Sequence, residues 1–162
     1  MKNLTLLVGL PACGKTTWRA NHPNAGIPLS TDDIIEHIAA SAGKTYDEVF
    51  VGSVGDATEL FETFFKVNLH EGKDIVIDRT NLTPKTRRRF IDSARCAGYH
   101  IHAVVFERPM TSSDHQEWNL RLERPGKTIP NNVLQSMFCS FEYPLFEEGL
   151  TMITPINTFH IP

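Results

Sequence analysis

Gly9-Leu10-Pro11-Ala12-Cys13-Gly14-Lys15-Thr16 is the stretch that decides the fold. It fits the pattern GxxxxGK[ST], with an apolar run, Leu4 to Val8, before it and a helix expected through about Asn21 after it. Each residue type has a physical task. Glycine lets the backbone wrap close to phosphate oxygens, and successive N–H groups at a helix start supply partial positive charge. Lys15 is expected to reach the β- and γ-phosphates of a nucleoside triphosphate, and the Thr16 hydroxyl to ligate Mg²⁺. The nucleotide-binding candidates are therefore Gly9, Pro11, Ala12, Cys13, Gly14, Lys15, Thr16 and Thr17, and ATP and Mg²⁺ are the implied cofactors. Backbone amides do the binding in such a loop, so the Cys13 thiol is read as a bystander, although a nearby lysine can lower a thiol pKa.

Working outward, strands and helices alternate. Ile27 to Ser30 reads as a short second strand, and Ser30 or Thr31 caps a helix with Asp32 and Asp33 in its first turn. A long helical pattern runs from about Tyr46 to Glu71, with Ala57, Leu60, Phe61, Phe64 and Phe65 expected on one core-facing stripe and Gly72 ending it. Asp74 to Asp78 is a buried strand that ends in a carboxylate. Thr83-Pro84 is an N-cap with proline at N1, opening a helix to about Ala97 that Gly98 stops. Ile101 to Phe106 is another strand, Thr111 with Asp114 forms a capping box, a helix runs from near Pro130 to Glu142, and Met152 to Ile156 is a last strand. This alternation implies a single α/β domain over residues 1–162, three-layered around a mostly parallel sheet. Ligands in such folds sit at the carboxyl ends of the strands, and Gly9, Asp32 and Asp78 all fall at that edge.

Composition narrows the class. The chain has 162 residues, 41% hydrophobic and 22% charged, with a net charge of −3. No apolar run approaches the roughly 20 residues that span a bilayer. Cys13, Cys96 and Cys139 are odd in number and include no CxxC pair, which fits a reducing, cytoplasmic setting. The acidic balance argues against a protein that coats nucleic acid by charge alone, yet basic residues cluster at Lys85 with Arg87-Arg88-Arg89, and at Arg121, Arg124 and Lys127.

The residues beyond the loop bear on what accepts the phosphate. No NKxD sequence for guanine occurs. A carboxylate at Asp32 is placed to take the proton of an acceptor hydroxyl; the competing reading is that Asp32 and Asp33 only complement the helix dipole. Asp78 is placed like the acidic residue that holds the Mg²⁺ water shell in P-loop enzymes, which makes Thr16 and Asp78 the metal candidates. Arg121 and Arg124 share a helix face ahead of the stop Pro125-Gly126 and are candidate lid arginines over the triphosphate. Glu117, four residues before Arg121, offers it an ordinary ion pair and leaves Arg124 the freer.

Taken together, residues 9–18, Ser30-Thr31-Asp32-Asp33, Asp78 to Pro84 with Arg87, Asn119 to Arg124, and Ile129 to Met137 resemble the kinase domain of the phage and bacterial polynucleotide 5′-hydroxyl kinases. The resemblance runs over nearly the whole chain. It implies a P-loop kinase fold with an α-helical lid, ATP on one side of a tunnel-like site and a nucleic-acid end on the other. It also implies Asp32 as general base and an arginine of the 121–124 segment as the lid residue. A phage origin would place the protein in the host cytoplasm. Three positions depart from the family: Ile35 stands where the phage enzyme has an arginine on the acceptor's 3′-phosphate, Trp118 where arginine is frequent, and Arg79 where relatives carry other residues. Asp32, Asp33, Arg79 and Arg87 are the substrate-binding candidates, with Arg79, Arg87 and Arg88 as a replacement grip. The expected activity is transfer of the γ-phosphate to a 5′-hydroxyl of DNA or RNA. The alternatives are a kinase of a hydroxymethyl group on a DNA base, with Trp118, Tyr46 and Phe50 as candidate stacking surfaces, and a small-molecule or nucleoside kinase.

Overall fold

The computed structural model describes residues 1–159. Its centre is β1 (Asn3–Val8), whose Leu4, Leu6, Leu7 and Val8 have no exposed surface. A strand buried on both faces reads as a continuous apolar run, and the two faces here meet different clusters. Leu4, Leu6 and Val8 pack with Phe61, Phe65, Phe90 and Ile91, whereas Leu7 packs with Cys13, Val76, Val104 and Phe106.

Around β1 lie β2 (Ile27–Leu29), β3 (Ile75–Asp78), β4 (His100–Phe106) and β5 (Met152–Ile156). They form one sheet in the order β2-β3-β1-β4-β5, and every pairing is parallel. Register aligns Leu7 with Asp78 and Leu29 with Ile77, so the ends of β1, β3 and β2 lie side by side. Pro28 and Pro155 fall on the two outermost strands, where a missing backbone donor does not interrupt the central ladder.

The helices are α1 (Lys15–Asn21), α2 (Thr31–Ala42), α3 (Tyr46–His70), α4 (Pro84–Cys96), α5 (Ser112–Leu122) and α6 (Asn131–Cys139). Side-chain caps set their starts. Ser30 accepts from the Asp33 amide, and Thr45, Thr83 and Thr111 each form a reciprocal capping box with Glu48, Thr86 and Asp114.

Three expectations need correction. On α3, Ala57, Phe61 and Phe65 are buried at i, i+4, i+8, but Leu60 and Phe64 are 43% and 46% exposed. Each precedes a buried residue by one position and is rotated about 100° off the core face. The last long helix ends at Cys139 rather than Glu142, because the Glu142 amide donates to the Leu82 carbonyl and its own carbonyl accepts from Arg87. Arg87 itself is not at the acceptor side. It has no exposed surface, and its guanidinium donates to both Glu148 carboxylate oxygens at 2.6 and 2.7 Å, to the Asn81 carbonyl at 2.9 Å and to the Glu142 carbonyl at 3.1 Å. Burial on an amphipathic helix face turned toward the 142–148 segment makes Arg87 a staple between α4 and that segment.

Candidate nucleotide and acceptor site

The loop between β1 and α1 is tightly wound. Ala12 and Gly14 have φ of 57° and 104°, and a Cβ on Gly9 would lie 2.7 Å from Cys13 Sγ and 2.9 Å from Phe106 Cβ. Lys15 Nζ donates to the Gly9 and Leu10 carbonyls at 3.0 and 2.6 Å. The Cys13 thiol lies in the core; burial pushes its pKa up, against the lowering effect of Lys15. A buried thiol held protonated is poorly suited to reactivity, in line with its reading as a bystander.

The end of β3 supplies the carboxylate nearest this loop in the sheet. Asp78 Oδ2 accepts from Arg19 at 2.7 Å, and the other arm of Arg19 donates to Asp33 Oδ2, also at 2.7 Å. Desolvation works against this guanidinium, but the two carboxylates outweigh it and hold it firmly charged. The sequence reading missed Arg19. Arg19 stands one helical turn after Lys15, but its two carboxylates come from other segments, so no local pattern marks it. The adjacent acids Asp32 and Asp33 thus have different partners: Asp33 pairs with Arg19, and Asp32 with Tyr46 and Lys127.

Asp32 is held on both oxygens. Tyr46 Oη donates to Oδ1 at 2.9 Å, and Lys127 Nζ lies 3.0 Å from Oδ2. The same ammonium donates to Glu36 at 2.6 Å and sits 4.3 Å over the Tyr46 ring. Burial, followed by the neighbouring Asp32 carboxylate, raises the Tyr46 phenol above its ordinary pKa, so it remains a donor. Neither Tyr46 nor Lys127 was expected beside Asp32; their pairing is long-range, and no local pattern encodes it.

One cleft of about 1360 Å³ joins these parts. Pro11, Ala12, Gly14, Lys15, Thr16, Thr17 and Asp78 line it, together with Asp32, Asp33, Tyr46, Phe50, Arg79 and Lys127. Gly9 and Cys13 shape the loop from behind. Arg121 and Arg124 both reach the cleft. Arg121 is tied to Glu117, to the Thr158 carbonyl at 2.7 Å and to the Phe159 ring, and Thr158 Oγ1 in turn donates to the Cys13 carbonyl at 2.9 Å. Arg124 is exposed and makes no side-chain hydrogen bond or ion pair among the described residues. Arg79 lies over the Phe61 ring; desolvation and then Arg89 lower its pKa, while Glu62 and Asp32 oppose this. Trp118 is no stacking surface, for it is buried with its indole donating to the Pro11 carbonyl at 2.8 Å. Tyr46 and Phe50 do face the cleft, with ring centroids 5.4 Å apart.

The donor set fits a magnesium nucleotide. Thr16 and Asp78 offer hard oxygen donors, and among the described residues no cluster of three His, Cys, Asp or Glu side chains could hold a metal alone. Such a set suits Mg²⁺ bound through phosphates, water and one or two carboxylates.

Residues 4–144 match the family model described as an AAA domain. The chain belongs to that family. This AAA domain is similar to a chain of the Pnkp1/Rnl/Hen1 RNA repair complex, with a TM-score of 0.62 and 20% identity over 86% of this chain; it spans 43% of that longer chain. It is similar to Chaetomium thermophilum Kti12, solved with ADP-AlF3, at a TM-score of 0.59 and 13% identity over 96% of this chain and 89% of that one. Shikimate kinase from Acinetobacter baumannii, solved with shikimate, gives 0.55 and 17% over 98% and 86%. The AAA domain thus has a P-loop kinase-like fold, a five-stranded all-parallel sheet flanked by helices, consistent with ATP-dependent phosphotransfer. Among the described residues no helix is long and apolar enough to cross a membrane.

Proposed function

We propose that the protein is an ATP-dependent kinase that transfers the γ-phosphoryl group to a hydroxyl on nucleic acid, the 5′-hydroxyl end of DNA or RNA being the acceptor the resemblance favours. The observation that carries this reading is Asp32, a carboxylate anchored across the same cleft from Lys15 and Thr16. In the reaction the acceptor hydroxyl gives its proton to Asp32, its oxygen bonds to the γ-phosphorus, and the bond from that phosphorus to the β–γ bridging oxygen breaks, releasing ADP. Lys15 and an arginine of the lid, Arg124 before Arg121, carry the charge on the transferring group. Thr16 and Asp78 would hold Mg²⁺, which would supply charge neutralisation on the phosphates.

Two features support a nucleic-acid acceptor. The Tyr46–Phe50 pair lines the cleft, and its exposed member, Phe50, offers a ring on which a base can stack, while Arg79 lines the same cleft without an ion pair to a carboxylate among the described residues. The likeness to the RNA repair chain is in keeping with this, and the likeness to shikimate kinase keeps a small-molecule acceptor in the test. Purified protein with γ-labelled ATP and Mg²⁺ is offered 5′-hydroxyl oligonucleotides, 5′-phosphorylated duplexes containing 5-hydroxymethyluracil, and free nucleosides. Label on the oligonucleotides is expected. Label on the modified duplex alone makes the acceptor a DNA base, and label on neither refutes the nucleic-acid reading.

A further inference from the structure

The loop between α5 and α6 carries two groups that face the cleft at different places, and it is fastened at one point. Arg124, at the start of the loop, lines the cleft, and Lys127, three residues on, contacts Asp32 and Glu36. Between and after them the backbone is gripped by Asp47, in the first turn of α3. The Asp47 amide donates to the Gly126 carbonyl at 3.0 Å, and the Thr128 amide donates to both Asp47 carboxylate oxygens at 3.0 Å. Gly126 has φ of 73°, and a Cβ there would lie 3.0 Å from Thr45 Cβ, so the loop is pressed onto the start of α3. Tyr46, the residue just before Asp47, holds the other oxygen of Asp32 and lies under Lys127. The side chain of Lys127 is only 12% exposed although its partners are surface carboxylates.

We propose that Asp47 and Lys127 are positioning residues: the Asp47 clamp seats the 124–128 loop so that one loop places Arg124 over the donor phosphates and Lys127 on the acceptor-side carboxylate together. This rests on the reading of the cleft as a kinase site with Asp32 as base, and it adds that the donor and acceptor halves are assembled jointly. The chemistry of the clamp explains why the two placements are linked. A carboxylate that takes a backbone amide on both oxygens fixes the direction of the chain, not merely its distance. With the backbone held on both sides of Lys127, the ammonium and the nearby Arg124 both start from one seated loop. A loose loop would leave each cation a separate search, and rate depends steeply on such placement. The ion pairs alone, between a sheltered ammonium and exposed carboxylates, would hold little.

The test uses the full chain. Asp47→Ala removes the carboxylate but leaves the P-loop, Asp32, Arg124 and Lys127 in the sequence. It is expected to lower kcat by about ten- to hundredfold, the equivalent of one or two charge-assisted hydrogen bonds, with the KM for ATP unchanged. Hydrogen–deuterium exchange should rise at residues 124–130, where the Thr128 amide loses its acceptor, and not in the β-sheet. Lys127→Met and Arg124→Ala should each lower kcat, and together by less than the product of the two effects. Should Asp47→Ala lower the unfolding midpoint, Asp47→Asn, which keeps one amide acceptor, should give an intermediate kcat with the midpoint restored. Unchanged exchange at 124–130 in Asp47→Ala overturns the clamp, and multiplicative effects of Lys127→Met and Arg124→Ala overturn the joint placement. Wild-type protein inactive on every nucleic-acid acceptor defeats the reading of the function, and the exchange arm then decides the clamp alone; active wild type with an undiminished Asp47→Ala defeats only this inference.

Discussion

Glu148→Gln should destabilise the fold more than any surface charge change, and the structure gives the size. Arg87 is wholly buried, and Glu148, with a side chain 14% exposed, is its counter-charge through a two-point contact at 2.6 and 2.7 Å. Neutralising one partner leaves a buried guanidinium with no counter-charge, only the Asn81 and Glu142 carbonyls and one amide oxygen, and turns an NH2 donor toward it. Breaking a buried pair in this way costs about 3–5 kcal/mol. For a chain of this length each kcal/mol lowers the unfolding midpoint by roughly 2–4 °C, so a fall of about 6–20 °C follows. Thermal unfolding followed by circular dichroism reads it, with Arg88→Gln, one position along and exposed, as the control expected within about 0.5 kcal/mol. Equal small shifts for the two variants would refute the claim that Arg87 is a staple and return it to the acceptor-side candidates.

The same pair gives a pH dependence. Burial alone would raise the Glu148 pKa, but the Arg87 and Leu145 hydrogen bonds outweigh it and set the folded value below the ordinary 4.5. The unfolded chain therefore binds this proton at higher pH than the folded one. The contribution is complete above the unfolded value and is lost as pH falls through the folded one, so wild type should lose stability below about pH 4.5 more steeply than Glu148→Gln in acid titrations of the unfolding midpoint. Gly9→Ala should abolish nucleotide binding, since its Cβ has no room between Cys13 Sγ and Phe106 Cβ; retained binding by calorimetry would mean that the loop yields. Arg124→Ala should slow transfer by about a thousandfold at near-normal stability, while Arg121→Ala should also lower the unfolding midpoint, because Arg121 holds Glu117 and Thr158; equal kinetic losses without a stability difference would overturn that division.

How much of this was legible beforehand depended on range. The strands and helix starts are written locally: Leu4 to Val8 as an apolar run, Thr45, Thr83 and Thr111 as caps, Gly14 at a positive φ before α1. The three carboxyl-end positions, Gly9, Asp32 and Asp78, follow from the α/β alternation alone and do meet at one edge. What could not be read was decided by partners far along the chain. Arg87 looked like one of four clustered cations, and only the return of Glu148, 61 residues later, buries it. Arg19 lay unnoticed in α1 because its carboxylates come from two other segments. Lys127 and Tyr46 meet on Asp32 across 81 residues, a contact with no trace in periodicity. Leu60 and Phe64 show the reverse failure, a stripe drawn too wide from local spacing when one face of α3 is left open.

The central claim is that Asp32 serves the acceptor hydroxyl and not the nucleotide. Single-turnover transfer from γ-labelled ATP to a 5′-hydroxyl oligonucleotide, run beside ATP binding by calorimetry, tests it in Asp32→Asn, a variant that keeps the shape and the Tyr46 contact. The account predicts a loss of about 10²–10⁴ in the transfer rate with ATP affinity unchanged. Full-rate transfer, or a loss confined to ATP binding, would contradict it.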